Sequence, residues 1–519
     1  MKIQNWLSSR SKQRLIGVVL TLSLFLVHVT IIDDYGLTWD FHHHFFAGLH
    51  LLGRPIDKKL TENIPFTEPS PLLTQELPFG PLMSITPVLS YQLFYEKLRL
   101  LAFDNAYNIA IVASGVAGIG ILYFFLLEAT NFPTALIAFM FLALLPRYFG
   151  DLHNNMKDVP QAAAFALAIW LFWRLVKYNK IKDLVIASLG FAIAFNTKVN
   201  TLAIPFIAFL SLRKFHPRIL SYFFLAPLFA LLIWIPFWQD PFGVLAYLPK
   251  FFQINTPNIE VLYMDKWYCS GVNVPWHYPL GYLAITTPLP LLLFFFIGLF
   301  RRPPSIFLLW FFVPLARYLI PKIGVIDGIR HFEEVVYPMS AIAAIGAQSI
   351  FQWIKQKTIV LVLYFLILYS LSLILITYHP FQISYFNELV GGIRGAYGRY
   401  DIDYWGGPQK QAINWINANV PQQSRIAVAM AADVAVKYIR PDLTPLLNTR
   451  HYNSSDYVVI LNRQSFFYRY RVVDYLLTHT PIYTIENQGV PIVWIFDNHV
   501  SPAQKKNPWW EGTDPCIRL

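Results

Sequence analysis

Charge is what this chain has least of. Only 14% of its 519 residues are Asp, Glu, Lys or Arg, against roughly 25% in a soluble domain. Cysteine is nearly missing too. Cys269 and Cys516 are the only two, which excludes a disulfide framework and a CxxC metal site. There is no GxGxxG pattern or other nucleotide-binding signature. What fills the space is apolar: 55% of residues are hydrophobic and 17% aromatic, with a mean hydropathy of +0.44. These residues lie in separated blocks of membrane-spanning length, so the chain reads as a polytopic α-helical membrane protein. The net charge of +11 does not point to nucleic acid. Much of it sits in short Lys/Arg clusters between apolar blocks, as positive-inside loops require.

Arg10, Lys12 and Arg14 precede the first apolar run, and no small-x-small cleavage site follows it. The run is therefore expected to stay as a signal anchor, with residue 33 emerging outside. Hydropathy predicts about eleven spans, near 14–32, 106–127, 133–146, 160–177, 183–196, 200–212, 219–238, 281–300, 305–320, 335–352 and 358–378. Basic clusters such as Lys177–Lys182, Arg213–Arg218 and Arg301–Arg302 mark the inner ends. Long external segments are expected at 33–105 and 239–280. In the first, the patterns of Asp40 to Leu52 and Pro81 to Leu101 suit short helices on the membrane surface.

Residues 1–378 thus form a membrane unit, and 379–519 a soluble extracytoplasmic α/β domain. Helical periodicity marks 408–420, 432–440 and 470–480. Short apolar runs mark strands at 425–430 and 456–462, and a strand pair flanks Asn487-Gln488-Gly489. Cys269 and Cys516 both fall outside, where oxidation can join them.

The polar motifs gather at the outer span ends. "TWDFHHHFFAG" follows the first span and holds Asp40. A carboxylate there suits a general base that takes the proton of an acceptor attacking an activated sugar. The alternative is a helix cap. Asp34 is a weaker candidate for orienting the acceptor. His42, His43 and His44 are consecutive, so on a helix they point three ways and cannot converge on one ion. A single member, His43, remains a candidate substrate contact. "RYFGDLHNNMKDVP" offers Arg147 and Lys157 for a phosphate, and His153 and Asn154 for substrate. Its Asp158 is either a second site acid or a helix cap. "DGIRHFEE" offers Arg330 and His331 for a phosphate, beside Asp327 and Glu333. Trp276, His277 and Tyr278 read as an aromatic belt or a sugar-stacking wall.

With these motifs in order, the chain resembles the GT-C membrane glycosyltransferases. The nearest branch is that of the protein O-mannosyltransferases and aminoarabinose transferases, in a bacterial subgroup. The resemblance rests on "TWDFHHHFFAG", "HNNMKDVP", "VPWHYPLGYLAITTPLP", "DGIRHFEEVVYP" and "YFNELVGGIRGAYGRYDIDYWG". It implies a GT-C fold, a polyprenyl-phosphate sugar donor, and inversion at the anomeric carbon. It also implies a lipid, glycan or protein acceptor, and a bacterial inner membrane with the site facing the periplasm. Asp40 matches the family's base and Asp158 a second acidic position. Phe41 stands where the family carries a glutamate. The resemblance leaves a divalent metal open. Competing readings are a lipid-linked oligosaccharide polymerase or ligase, a lipid transporter or flippase, and a non-catalytic relative. The nearly acid-free interiors of the spans argue against a transporter, which keeps ionisable groups near the bilayer midplane.

Overall fold

The computed structural model describes residues 9–56, 80–212, 214, 216–244, 246, 258–446, 452–500 and 516. Parts of both expected external segments (57–79 and 247–257) and Arg213 lie outside the described residues.

Each of the eleven expected apolar segments contains a helix, but their lengths differ. Five helices are long and apolar enough to cross a bilayer: Arg10–Thr30, Phe103–Ala129, Asp158–Tyr178, Arg330–Trp353 and Lys357–Tyr378. A sixth span results if Leu289–Phe300 and Ser305–Leu319, bent by 118° at their break, count as one. Phe132–Ala143, Asn200–Ser211 and Pro217–Leu232 are shorter apolar helices. The chain is an integral membrane protein, but an alternating count of eleven does not follow from its helix lengths. The physical reason lies in the breakers. Arg301–Pro304 turns the chain between two 12-residue helices. Thr287-Pro288 separates Tyr278–Thr286 from Leu289–Phe300.

Local chemistry sets several helix ends. Asn131 caps helix Phe132–Ala143, its side chain accepting from the Thr134 N–H at 3.0 Å. Helix Leu289–Phe300 packs on Val336–Trp353 through Gly298 and Gly346. A Cβ at either position would come within 2.0 Å of a backbone oxygen of the other helix, so small residues allow this approach.

Helices form at Phe41–Leu51 and Leu82–Tyr91 in the first expected external segment, and most of Phe41–Leu51 is buried within the protein. A hairpin of β1 (Glu260–Tyr263) and β2 (Lys266–Cys269), not expected from the sequence, lies in the second external segment. Cys269 is joined to Cys516 by a disulfide, with Cα atoms 5.4 Å apart. After Tyr378 the chain makes short turns and then helix Gln409–Asn419.

A five-stranded mixed sheet follows: β3 (Arg425–Ala429), β4 (Thr444–Leu446), β5 (Tyr457–Leu461), β6 (Tyr483–Asn487) and β7 (Val490–Asp497), ordered β4-β3-β5-β7-β6. β3 is parallel to β4 and β5, and β5, β7 and β6 run antiparallel in turn. The all-apolar run Val458–Leu461 places β5 at the centre, buried throughout. Gln488 and Gly489, both with positive φ, turn the β6–β7 hairpin. The predicted helix at 432–440 shortens to Ala432–Ala435, and that at 470–480 to Val473–Thr478.

Candidate active site

Asp40 sits immediately before helix Phe41–Leu51 but makes no side-chain capping bond. Its Oδ2 instead accepts from Lys157 Nζ and, at 3.3 Å, from Arg330 Nη1. Lys157 immediately precedes helix Asp158–Tyr178. Asp158 opens that helix, where a negative charge meets the positive end of the helix dipole. Its backbone N–H donates to Asn155 Oδ1 at 2.9 Å. The Asp158 carboxylate takes Lys198 Nζ at 2.5 Å on one oxygen and faces Arg330 Nη1 at 3.8 Å on the other. Arg330 is aimed by the turn before it. Asp327 and Gly328 both have left-handed φ, at 57° and 65°. At Gly328 a Cβ would also come within 2.5 Å of Arg147 Nη1. The turn brings Asp327 Oδ2 to 2.7 Å from Arg330 Nη2. The face of Trp405 covers the guanidinium, 4.3 Å from Arg330 Cζ to the ring centre.

Lys157, Lys198, Arg330 and Arg463 therefore meet the carboxylates of Asp40, Asp158 and Asp327. Cations exceed acids by one, a surplus suited to an anionic group. Asp40 is the open end: its side chain is 33% exposed, while Lys157, Lys198, Arg330, Asp158 and Asp327 are buried. Burial pushes the Asp40 pKa up, but Lys157 and Arg330 outweigh it and hold the acid well below the usual carboxylate range. Beneath the cluster, Asp151 accepts from Trp405 Nε1 at 3.1 Å. Burial first, and then the charge of Asp158, push its pKa above the ordinary range.

Asp40, Lys157, Asp158, Asp327 and Arg330 thus come together. The other candidates are placed elsewhere. Asp34 Oδ2 pairs with His379 Nε2 at 2.9 Å, because the chain turns at Ile32–Asp34 and carries it to the junction. His43 is exposed on the outer face of its helix, while its neighbour His42 reaches Asp433 at 3.2 Å. His153 bonds His28 at 3.0 Å and stacks on Tyr35 at 3.7 Å, facing the first span rather than Asp40. Asn154 donates to the Gly36 carbonyl at 3.0 Å, tying two backbone segments. Arg147 packs on Phe386 at 4.7 Å and donates from Nε to the Tyr385 carbonyl at 3.2 Å. His331 accepts through its backbone carbonyl, from Arg317 at 3.2 Å. Glu333 is buried, with no hydrogen-bond partner for either oxygen among the described residues. Trp276 is exposed; His277 meets the Tyr263 hydroxyl at 3.2 Å; the Tyr278 hydroxyl accepts from the Gly328 N–H at 3.1 Å. Of the three, Tyr278 alone meets the Asp327 turn, through Gly328. None of them lines the Asp40 opening.

Among the described residues, no three His, Cys, Asp or Glu side chains are arranged to hold a metal ion. The acids of the cluster are turned to Lys and Arg, a donor set that does not fit a divalent cation.

Sequence reasoning passed over Lys198, Asp151 and Arg463, and left Trp405 between lining the acceptor entry and packing at the junction. Lys198 carried a usable signal, since "NTKVN" places a lone cation at an outer span end. Trp405 carried only its place in "YFNELVGGIRGAYGRYDIDYWG", and Arg463 carried none, because it reaches the cluster from the C-terminal part of the chain.

The sequence model of the dolichyl-phosphate-mannose-protein mannosyltransferase family matches residues 96–239. The chain is similar in three dimensions to the crystal structure of ArnT from Cupriavidus metallidurans bound to undecaprenyl phosphate. The TM-score is 0.51 at 11% identity, over 96% of this chain and 100% of that one. The chain has the GT-C fold. The apo state of the same ArnT gives a TM-score of 0.51 at 11% identity, over 96% of this chain and 98% of that one. The Archaeoglobus fulgidus oligosaccharyltransferase in the apo form gives 0.39 at 12% identity, over 83% of this chain and 65% of that one. No curated protein matches the sequence. The family match covers the segment that supplies Lys157, Asp158 and Lys198.

Proposed function

We propose that this protein is an integral-membrane glycosyltransferase. It moves a sugar from a polyprenyl-phosphate donor to an acceptor on the extracytoplasmic face, with inversion. The observation that carries this reading is the shared grip of Lys157 and Arg330 on Asp40 at the open end of a cation-rich cluster.

In the resting site the two cations quench Asp40 as a base. A donor phosphodiester is a monoanion with two free oxygens, as a carboxylate is, and competes for both cations. As Lys157 and Arg330 turn to the phosphate, Asp40 loses the partners that depress its pKa and becomes able to take a proton. The acceptor hydroxyl or amine then attacks the anomeric carbon in line. The bond from that carbon to the phosphate oxygen breaks, and the phosphate leaves with the electron pair. Asp40 receives the acceptor proton. Lys157, Arg330 and Lys198 stabilise the leaving phosphate in a site screened from bulk water. Donor binding and base activation are then one event. Phe41, packed on Tyr107 with ring centres 4.9 Å apart, fills the place of the family's glutamate, so the acceptor is positioned without a second carboxylate there.

The test is transfer by purified protein from a panel of polyprenyl-phosphate sugars, with Asp40→Asn run beside it. Turnover of one donor by wild type, lost in the variant, is the expected result. Equal turnover by both proteins removes Asp40 as the base. Failure of wild type with every donor in the panel contradicts the donor class.

A further inference from the structure

Arg463 follows the central strand of the C-terminal sheet, far in sequence from every membrane helix. Yet it is buried at the membrane cluster. Its Nη2 lies 2.8 Å from Asp327 Oδ1, while Arg330 holds the other oxygen of the same carboxylate at 2.7 Å. Its Nη1 donates to the Tyr404 carbonyl at 3.0 Å. Its guanidinium lies over Phe466 at 3.6 Å and over Trp39 at 5.6 Å.

Three of these contacts lie in or beside the site. Asp327 lies three residues before Arg330 and pairs with it. Trp39 immediately precedes Asp40, and Tyr404 immediately precedes Trp405, whose face covers Arg330. One side chain therefore fixes three segments that are remote in sequence. A planar fork is needed, because one Nη serves a carboxylate and the other a carbonyl on a different segment.

We propose that Arg463 is a positioning residue: through Asp327 it holds Arg330 against Asp40, so the membrane site is complete only with the C-terminal unit seated. This rests on the phosphate-binding role given to Arg330 above. Without Arg463, one oxygen of Asp327 is free to draw Arg330 wholly to itself, away from Asp40 and from an incoming phosphate. The soluble unit then acts as a structural condition for donor recognition, whatever it does with the acceptor.

The probes are undecaprenyl phosphate and undecaprenol, which differ only in the phosphate. Binding of each is measured to the full-length protein in nanodiscs. The preference for the phosphate is expected to fall about tenfold in Arg463→Met, the scale of coupling within one buried network. A smaller fall is expected in Arg463→Lys. In an Arg330→Met background, Arg463→Met should change the preference no further. A merely structural role predicts weaker binding of both lipids with the preference kept, and that result overturns the proposal. So does a full additional loss in the Arg330→Met background. Where Arg463→Met fails to fold, Arg463→Lys carries the same comparison. A wild type with no preference for the phosphate overturns the proposed function itself, and with it this inference.

Discussion

Two ion clusters join the C-terminal unit to the membrane helices, and they are balanced in opposite ways. In one, Lys410 serves two carboxylates, Asp104 at 2.8 Å and Asp33 at 3.0 Å, and the Tyr438 hydroxyl donates to Asp104 at 3.0 Å. A single cation meets two acids and a donor, which leaves no call for a further anion. In the other, four cations meet three acids. Asp33 and Asp40 are only seven residues apart, yet one belongs to a clasp and the other to a site. Proximity of an acid to a membrane exit therefore does not mark function; the sign of the local surplus does. The clasp has its acids in excess, whereas the direct ion pairs of the Asp40 cluster leave positive charge to spare.

The largest effect is expected at Asp40. Asp40→Asn should lower transfer by about 10²–10⁴-fold, the range of a lost general base, while the fold and lipid binding persist. Initial rates at saturating donor check this. A comparable loss in Lys410→Met, per folded molecule, would erase the distinction between the two clusters. Lys410→Met should instead act on stability. Removing one partner of a buried pair costs about 3 kcal/mol, read as a lower unfolding midpoint with the rate per folded molecule unchanged.

Asp403 sharpens the contrast further, because it is a junction acid with no cation in contact. Its Oδ1 accepts from the backbone N–H groups of Trp405 at 2.9 Å and Gly406 at 2.8 Å. Burial raises its pKa to about 6, against the lowering effect of those bonds. The folded value lies above the unfolded one of about 4. Its contribution to stability is therefore complete below about pH 4 and is lost as pH rises through about 6. Asp403→Asn keeps an acceptor in place and removes the titration. It should flatten the fall in unfolding midpoint between those pH values, worth about 2–3 kcal/mol. An unchanged pH profile would contradict the raised pKa. The smallest effect is expected at the exposed His43: transfer by His43→Ala should stay within about twofold of wild type.

How far the sequence could be read depended on the range of the interaction. The positions of apolar helices, the strands at 425–429 and 457–461, and the turn at Gln488-Gly489 rest on local periodicity and turn chemistry, and all are visible in the chain. Asp40, Lys157, Asp158 and Arg330 stood out because they lie in the polar motifs at the outer span ends. Which of the polar neighbours would join them was not legible. His153 and Asn154 share a motif with Lys157. Helix Pro146–Asp151 and the turn after it, however, send those two towards the first span and the backbone at Gly36. Arg463 meets Asp327 across 136 positions and Trp405 meets Asp151 across 254. No window of sequence spans such contacts. Helix length escaped for another reason: the hydropathy block at 281–300 does not register the break at Thr287-Pro288 that divides it into Tyr278–Thr286 and Leu289–Phe300.

The surplus of positive charge at Asp40 is the centre of the account, and its direct test is binding rather than turnover. Undecaprenyl phosphate and undecaprenol are titrated against wild type, Lys157→Met and Lys410→Met in nanodiscs of one composition. Wild type and Lys410→Met should prefer the phosphate, and Lys157→Met should lose most of that preference. Equal binding of the two lipids by wild type, or a preference that survives Lys157→Met and disappears in Lys410→Met, would contradict the assignment of the phosphate to the Asp40 cluster.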